Sequence, residues 1–346
     1  MQIIHNCADA AASTVDIWVN GALFVDNVDF RTATPFTEVP AGVPLVVDIA
    51  PGTSMSASES IFQQTFTLTA DETYIIVASG IVSATGYSPA QPFSLAVYDL
   101  AQETAAGGAS NTDVLVYHGS TDAPTVDVYE SAVLNTTAVD DISYGEFAGY
   151  LALPTDDYTL QVRDGANSTI VATYSAPLST LGLGGAAITV LASGFLDSSM
   201  NSNGPAFGLY VALATGGPLV PLPVLANPTA RLQVVHNSAD LAAATVDVWL
   251  NNTLLLDDVD FRTASPFIDA QAGVPFVVSI AAPTSTDTVG AIAHYTFTLD
   301  EGGSYIVVAN GIVSASGYSP VQPFDLYVAT DARETANDPA NTDILV

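Results

Sequence analysis

Positive charge is the scarcest feature of this 346-residue chain. Five arginines and no lysine stand against 36 acidic residues, which gives a formal net charge of −31 at pH 7. Such a chain repels phosphate backbones and anionic lipid, so the composition excludes nucleic-acid binding and argues against docking on acidic membranes. What the charge favours is solubility and an atmosphere of cations.

Cysteine and long apolar runs are also scarce. Cys7 is the single cysteine, so no disulfide forms within the chain, and we expect it to behave as a small buried apolar residue. No run of 18 or more apolar residues occurs, which predicts no membrane insertion of this segment. Met1 leads directly into a strand-like sequence, and we interpret the chain as a mature or excised segment.

The chain contains an internal repeat. Residues 2–105 return at 233–336, so that VDFRTATPF at 28–36 becomes VDFRTASPF at 259–267. A more distant copy opens after Asp113 with VLVYHGSTDAPTVDVYE. The predicted domains are A1 (1–110), B (111–222), a proline-rich linker (223–230) and A2 (231–340). The tail 341–346 repeats the sequence that opens domain B, so we interpret it as the first strand of a further repeat or as a donor strand.

Short, β-branched apolar segments separated by Gly, Pro, Asn and Asp predict strands throughout. About seven strands in each repeat of roughly 110 residues indicate an all-β chain of tandem immunoglobulin-like β-sandwich domains, joined end to end. We expect Trp18 and Trp249 to face the core, with Tyr129 as their counterpart in domain B.

The opening of domain B, HGSTDAPTVDVYE, followed by PTDDYTLQV at 154–162, resembles the bacterial and archaeal domain-of-unknown-function family numbered 4397. The resemblance extends over all three repeats, although the A domains have Ala-Ala-Ala or Leu-Ala-Ala-Ala where the family has Asp-Ala-Pro. It implies extracellular, often tandem, β-sandwich modules. It implies no reaction, because the family has no agreed activity.

One histidine and two aspartates recur in each repeat. The three sets are His5, Asp9 and Asp16; His118, Asp122 and Asp127; and His236, Asp240 and Asp247. Such a set is able to ligate a transition metal, and a metal-dependent hydrolase is the weakest hypothesis that it supports. The spacing between the two aspartates varies, so we favour a structural role in which the histidine ends a strand and the aspartates bind turn amides.

Two further features carry possible chemistry. Aspartates cluster in equivalent turns, at Asp26 and Asp29, Asp140 and Asp141, and Asp257, Asp258 and Asp260, where oxygen ligands suit Ca²⁺; we favour solvated turns. Arg31 and Arg262 each follow an aspartate by two residues, which predicts an internal arginine–carboxylate pair. Without a nucleophile elbow, phosphate loop or dinucleotide fingerprint, we predict no catalytic, cofactor-binding or metal residue.

The sequence therefore favours a non-enzymatic protein that is extracellular or at the cell surface and forms a stalk, fibre or matrix. Its expected partners are copies of itself or other surface components. Ile344, Leu345 and Val346 are candidates for head-to-tail polymerisation by strand addition. The alternative is a carbohydrate- or calcium-dependent adhesin in which Tyr87 and Tyr318 stack on glycans.

Overall fold

Short strands and single turns of 3-10 helix form the secondary structure of residues 1–345, the part of the chain that this computed structural model describes. The predicted all-β class and the tandem sandwiches are confirmed. Each repeat folds as two sheets with an apolar core between them. No described helix is long and apolar enough to cross a membrane.

Domain A1 contains eight strands. They are β1 Gln2–His5, β2 Thr14–Val19, β3 Ala22–Asp29, β4 Thr32–Ala33, β5 Pro44–Pro51, β6 Phe62–Thr67, β7 Ile75–Ser79 and β8 Ser94–Tyr98, with 3-10 turns at Ala10–Ala12 and Ala57–Glu59. The opening sheet, named for the first strand of its domain, has the order β4-β1-β7-β8, and the second sheet has the order β3-β2-β5-β6.

Domain B repeats this plan. Its strands are β9 Asn111–His118, β10 Val126–Glu130, β11 Thr136–Ile142, β12 Phe147–Pro154, β13 Asp157–Asp164, β14 Ile170–Pro177, β15 Ala187–Ser193 and β16 Gly208–Leu213, with 3-10 turns at Gly108–Ser110 and Ser198–Met200. The opening sheet runs β12-β9-β15-β16 and the second sheet runs β11-β10-β13-β14.

The proline-rich segment after domain B takes part in the sheets. It forms β17 Gly217–Pro218, β18 Val220–Pro221 and β19 Val224–Leu225. β17 extends the opening sheet of A1, whereas β18 and β19 extend the two sheets of B. The prolines sit at sheet edges, where a missing N–H costs no ladder bond. Residues 217–225 therefore connect two domains as added strands rather than as a free spacer.

Domain A2 again has two sheets. Its strands are β20 Thr229–His236, β21 Thr245–Leu250, β22 Thr253–Asp260, β23 Thr263–Ala264, β24 Ile268–Gln271, β25 Pro275–Ala281, β26 Ala293–Thr298, β27 Ser304–Asn310 and β28 Asp325–Ala329, with a 3-10 turn at Leu241–Ala243. The opening sheet runs β23-β20-β27-β28, and β24 also pairs with β20.

The chain enters and leaves each sandwich at the same end of its opening sheet. In A1, β1 lies parallel to β7 with Gln2 opposite Ile75, and Ile75 is also opposite Tyr98 at the end of β8. Domain B repeats this arrangement with β9, β15 and β16. Because the chain leaves one domain at the end where it entered, the next domain is able to pack beside the first rather than beyond it.

The domains divide into two compact units. The first holds A1 with nearly all of B (residues 1–165 and 171–225), and the second holds A2 (residues 166–170 and 226–346). In the first unit the outer faces of the two opening sheets contact each other. The joint between A1 and B is thus lateral, which differs from the end-to-end joint that the sequence suggests.

The prediction that the two tryptophans face the cores is wrong about the strand face, although Trp249 is buried. Val15 and Ile17 of β2 fill the A1 core, so alternation along the strand turns Asp16 and Trp18 to the other face. There the Trp18 indole donates to Ser54 Oγ at 3.0 Å. Trp249 repeats this with Ser285 at 2.9 Å. The polar N–H of the indole explains the placement, because a core position would leave it without an acceptor.

The proposed polymerisation segment is placed only in part. Ile344 and Leu345 lie outside any strand and are 79% and 59% exposed. Val346 lies outside the described residues. Asp343 is held by Arg333, with 2.7 Å between the guanidinium and the carboxylate. Strand addition by this tail stays a prediction.

Candidate functional site

The repeated histidines end the first strand of each domain and are buried. His5 Nε2 lies 2.7 Å from the Ala12 carbonyl, and His236 Nε2 lies 2.7 Å from the Ala243 carbonyl. Burial lowers the pKa of His5 to about 4, because the protonated ring loses its hydration. A neutral imidazole that donates to a backbone carbonyl anchors the 3-10 turn that follows the strand.

The first aspartate of each set organises a distant loop. Asp9 accepts from the Val82 and Ser83 amides at 2.9 and 2.7 Å, besides the Ala11 amide of its own turn. Burial alone would raise the pKa of Asp9, but these hydrogen bonds outweigh it and the pKa is lowered. In A2, Asp240 binds Val313 and Ser314 in the same way.

The second aspartate belongs to the outer face of the second sheet. Asp16 accepts from the Asn27 amide at 2.9 Å and from Ser54 Oγ at 2.6 Å. Asp247 accepts from the Asp258 amide and from Ser285 Oγ at 2.6 Å. In both A domains the histidine and the first aspartate thus bind the same 3-10 turn, whereas the second aspartate serves the outer face of the second sheet. All three residues have the structural role that we favour from the sequence.

Among residues 1–345 the structure brings together one group of three potential metal ligands, and it contains no histidine. Oxygens of Asp247, Asp257 and Asp258 lie within 4.8 Å of one another. Desolvation and the two neighbouring carboxylates of Asp258 and Asp247 raise the pKa of Asp257. The cluster lies in one of the aspartate-rich turns, and calcium binding there stays a prediction.

The two GYSP tyrosines are engaged by the protein itself. The hydroxyls of Tyr87 and Tyr318 accept from the amides of Ala10 and Leu241, each at 3.0 Å. The Tyr87 ring also lies 5.6 Å from that of Phe195. Both side chains fasten a loop, and glycan stacking stays a prediction.

An apolar gap lies within the core of domain B. It measures about 70 Å³ and is enclosed almost entirely by apolar side chains such as Val114, Val190 and Leu209. An apolar void of this size stays dry. The gap offers no convergent polar groups that would orient a substrate.

The joint between A1 and B is the largest functional feature that sequence reasoning missed. Apolar side chains from both opening sheets form a buried cluster that is separate from the three cores. Its fully buried or nearly buried members are Ile4, Ala33, Ile75, Val77, Leu115, Tyr117, Leu191, Ala212 and Leu219. The opening sheets are thus apolar on both faces, one for the core and one for the joint.

Tyr117 lies at the centre of the joint and is completely buried. Its hydroxyl is 2.8 Å from Ser79 Oγ of A1, and its ring lies 4.6 Å from that of Phe147. Phe147 in turn contacts Tyr98 of A1, with 5.2 Å between ring centroids. Removal of this much aromatic surface from water stabilises the contact, and the paired hydroxyls satisfy the polar atoms inside it.

Arg31 of A1 binds domain B through its whole guanidinium. It donates to Ser193 Oγ at 3.0 Å, to the Ala206 carbonyl at 2.9 Å and to the Tyr210 hydroxyl at 2.6 Å. The guanidinium also lies 3.8 Å from the centroid of the Tyr210 ring. The predicted arginine–carboxylate pair is wrong here, because Arg31 serves the joint through neutral acceptors and a cation–π contact.

Backbone groups complete the joint. β17 pairs with β4, with Gly217 opposite Ala33, so the chain leaving domain B adds a strand to A1. The side-chain amide Nδ2 of Asn6 donates to the backbone carbonyls of Gly119 and Ala192 at 3.4 and 3.2 Å. A Cβ on Gly119 would lie only 2.1 Å from the Asn6 amide nitrogen, so glycine is what permits this approach.

The contact relates the two domains by an approximate two-fold axis. Asn6 and Gly119 follow the equivalent histidines of A1 and B, and they contact each other. Equivalent turns also meet, since the Ser88 amide donates to Asn201 Oδ1 at 2.9 Å and Ser202 Oγ donates to the Gly86 carbonyl at 2.8 Å. Each domain thus uses the same face toward the other.

These observations define a class of protein: tandem β-sandwich repeats, two of which are fused through their opening sheets. The chain matches the family described as Domain of unknown function (DUF4397) over residues 1–110, 112–202 and 230–343, and it belongs to that family. The resemblance in the sequence is therefore confirmed.

Comparison with individual proteins adds little. No curated protein matches the chain. A solved structure described as alpha-glucan recognition by family 41 carbohydrate-binding modules from streptococcal virulence factors is 12% identical, covers 57% of this chain and 93% of its own, and has a TM-score of 0.16. The Bacillus anthracis TIE protein is 10% identical over 86% of this chain and 57% of its own, with a TM-score of 0.20. Scores this low carry no argument about fold or function.

Proposed function

We propose that the chain is a structural repeat protein of the cell exterior, which builds a stalk, fibre or matrix from β-sandwich modules. One observation carries this proposal: domains A1 and B bury against each other the sheet faces that a ligand-binding sandwich would keep open. The residues at this contact are apolar or bind one another, as at Tyr117 and Arg31. Surface used in this way supplies rigidity.

The proposal also draws on charge and on the repeated sequence. Net charge of −31 keeps acidic surfaces apart, and Arg31 and Arg231 bind groups within the protein. We further propose that the chain is not an enzyme, since its recurring histidines and aspartates are engaged in hydrogen bonds to turns and loops.

Immunogold electron microscopy of intact cells of the source organism tests this function. We expect antibody against the chain to label a layer or appendage outside the envelope, and we expect deletion of the coding sequence to thin or remove it. Labelling only after the cells are permeabilised would contradict the external location. An unchanged surface after deletion would contradict the structural role.

A further inference from the structure

The face that A1 uses to bind B is left uncovered in A2. Every residue of β7 in A1 is buried, because one face of the strand meets the core and the other meets domain B. The equivalent strand β27 alternates between buried and half-buried residues and ends at an exposed Asn310. On the neighbouring β28, Tyr327 is 56% exposed.

The uncovered face keeps most of the chemistry of the covered one. The apolar positions Ile4, Ala33, Phe36, Ile75 and Val77 of A1 become Val235, Ala264, Phe267, Ile306 and Val308 in A2. All five A2 residues are half-buried or exposed. β23 also lies at an open edge of its sheet, whereas the equivalent β4 pairs with β17. A2 therefore presents an apolar sheet face whose equivalent in A1 is buried against domain B.

Arg262 shows that the polar part of the joint is also preserved. Arg262 occupies the position of Arg31 and has the same left-handed backbone, with φ of 66° against 63°. Its backbone N–H donates to the His236 carbonyl, as the N–H of Arg31 donates to the His5 carbonyl. Its guanidinium lies 4.9 Å from the ring centroid of its neighbour Phe261. Within residues 1–345 the Arg262 guanidinium forms no hydrogen bond or ion pair, so the arginine–carboxylate pair predicted for Arg262 is also wrong.

Tyr327 adds the other half of the contact. The last strand of the opening sheet reads SLAVY in A1, GLYVA in B and DLYVA in A2, so Tyr327 stands where Tyr210 stands in B. Tyr210 is the residue that receives the Arg31 guanidinium. A2 thus carries on one face both members of a pair that A1 and B share between them.

We propose that this face of A2 binds the same face of a second copy of the chain. The joint between A1 and B shows that two such faces meet about an approximate two-fold axis, with equivalent positions in contact. Between identical faces the axis becomes exact, so the contact is self-complementary. Arg262 of each copy then lies on Tyr327 of the other, which gives two reciprocal cation–π contacts where the A1–B joint has one.

A second copy fits this face better than a domain of type B. In domain B the position of Arg31 is held by Gly145, whose amide makes the same bond to the His118 carbonyl. A B-type domain would therefore leave Tyr327 without a cation. The inference goes beyond the proposed function, because it rests on the geometry of one face and assigns a partner to it.

Sedimentation velocity on the purified chain tests the proposal, at about 0.15 M salt so that the acidic surfaces are screened. We expect the mass to rise with concentration from 35.6 kDa to twice that value. Arg262→Ala and Tyr327→Ala should each weaken the dimer by roughly tenfold or more, since each change removes both reciprocal contacts. Val289→Ala, at an 88% exposed residue of the same domain, is the matched control and should leave the dimer unchanged.

The arginine and tyrosine variants are also checked by circular dichroism, and a folded variant that fails to dimerise supports the proposal. A chain that stays monomeric at every concentration would overturn it, as would a dimer that both variants leave intact. A last experiment joins a second copy of residues 111–225 after residue 340. The variant Tyr327→Cys is made in this fusion and in the original chain, and the rates at which a thiol reagent labels the new cysteine are compared. Protection in this fusion, together with a monomeric original chain, would assign the face to a B-type domain and contradict self-association.

Discussion

Single residues in this chain mostly hold loops to strands. The repeated aspartates accept hydrogen bonds from the backbone amides of a second loop, as Asp9 does from Val82 and Ser83. The repeated histidines bind the carbonyl of a turn, as His5 does. The sequence was able to predict this structural role from the varying spacing within the sets. It could not reveal the partners of Arg31, because all of them belong to another domain and are hydroxyls or backbone carbonyls, which have no sequence signature.

The buried His5 should make stability depend on pH. In the unfolded chain a histidine has a pKa of about 6.5, whereas burial holds the pKa of His5 at about 4 in the folded chain. Between these values the unfolded state binds a proton that the folded state does not, so stability falls as the pH drops through this range. We expect a loss of about 3 kcal/mol between pH 7 and pH 4 from this group.

Urea unfolding at several pH values measures this slope. His5→Gln should flatten the dependence between pH 6.5 and pH 4, whatever its effect on stability at pH 7. Val289→Ala, at an 88% exposed residue that does not titrate, is the control and should keep the original slope. Equal slopes for His5→Gln and the unaltered chain would contradict this account of His5.

Arg31 and Arg262 form a natural matched pair. Arg31→Ala removes charged hydrogen bonds and leaves the carbonyls of Ser193 and Ala206 without this donor. We therefore expect the substitution to lower the free energy of unfolding by about 2–3 kcal/mol. Arg262→Ala removes a side chain that has no hydrogen bond within the described residues, and should change stability by less than about 0.5 kcal/mol. Chemical unfolding of both variants at low protein concentration compares them, and equal losses would contradict the role given to Arg31.

At the scale of elements, one kind of strand is used in two ways. β7 and β27 have nearly the same sequence, IIVAS and IVVAN, yet β7 is covered on both faces and β27 on one. Apolar runs and alternation predicted strands correctly, because they report the local period of the chain. They do not report what covers the second face, which depends on the domain that packs there. For the same reason Trp18 was assigned to the wrong face of its strand.

Gly119 should control the approach of the two opening sheets. In Gly119→Ala the new methyl would lie 2.1 Å from the Asn6 amide nitrogen and 2.9 Å from the Ala192 carbonyl oxygen. Relief of these contacts requires the Asn6 side chain and the backbone beside Ala192 to move, so we expect a loss of about 1–3 kcal/mol. Combination with Asn6→Ala should restore part of it, with a coupling of about 0.5–3 kcal/mol in a double-mutant cycle.

Asn237→Ala supplies the control for that cycle. Asn237 is the counterpart of Asn6 in A2, and it is exposed. It should therefore show no coupling to Gly119→Ala. Additive effects of Gly119→Ala and Asn6→Ala would mean that the two residues do not meet at the joint.

At the scale of the whole molecule, the sequence predicted three domains in a row, and the structure groups two of them. The all-β class and the tandem sandwiches were readable because the copies share strand and turn sequences. The lateral joint was not, since it is set by strand ends that meet at one edge of each sandwich. A1 and B thereby share a buried apolar cluster in addition to their own cores, so we expect their folding to be coupled.

Differential scanning calorimetry of the full chain measures this coupling most directly. The account predicts two transitions, one for A1 with B and one for A2, and the first should carry roughly two thirds of the unfolding enthalpy because enthalpy scales with residue number. Gly119→Ala should lower or split the larger transition and leave the smaller one in place. Three transitions of similar enthalpy in the unaltered chain would show that A1 and B fold independently, and would contradict the central claim that their opening sheets form one structural unit.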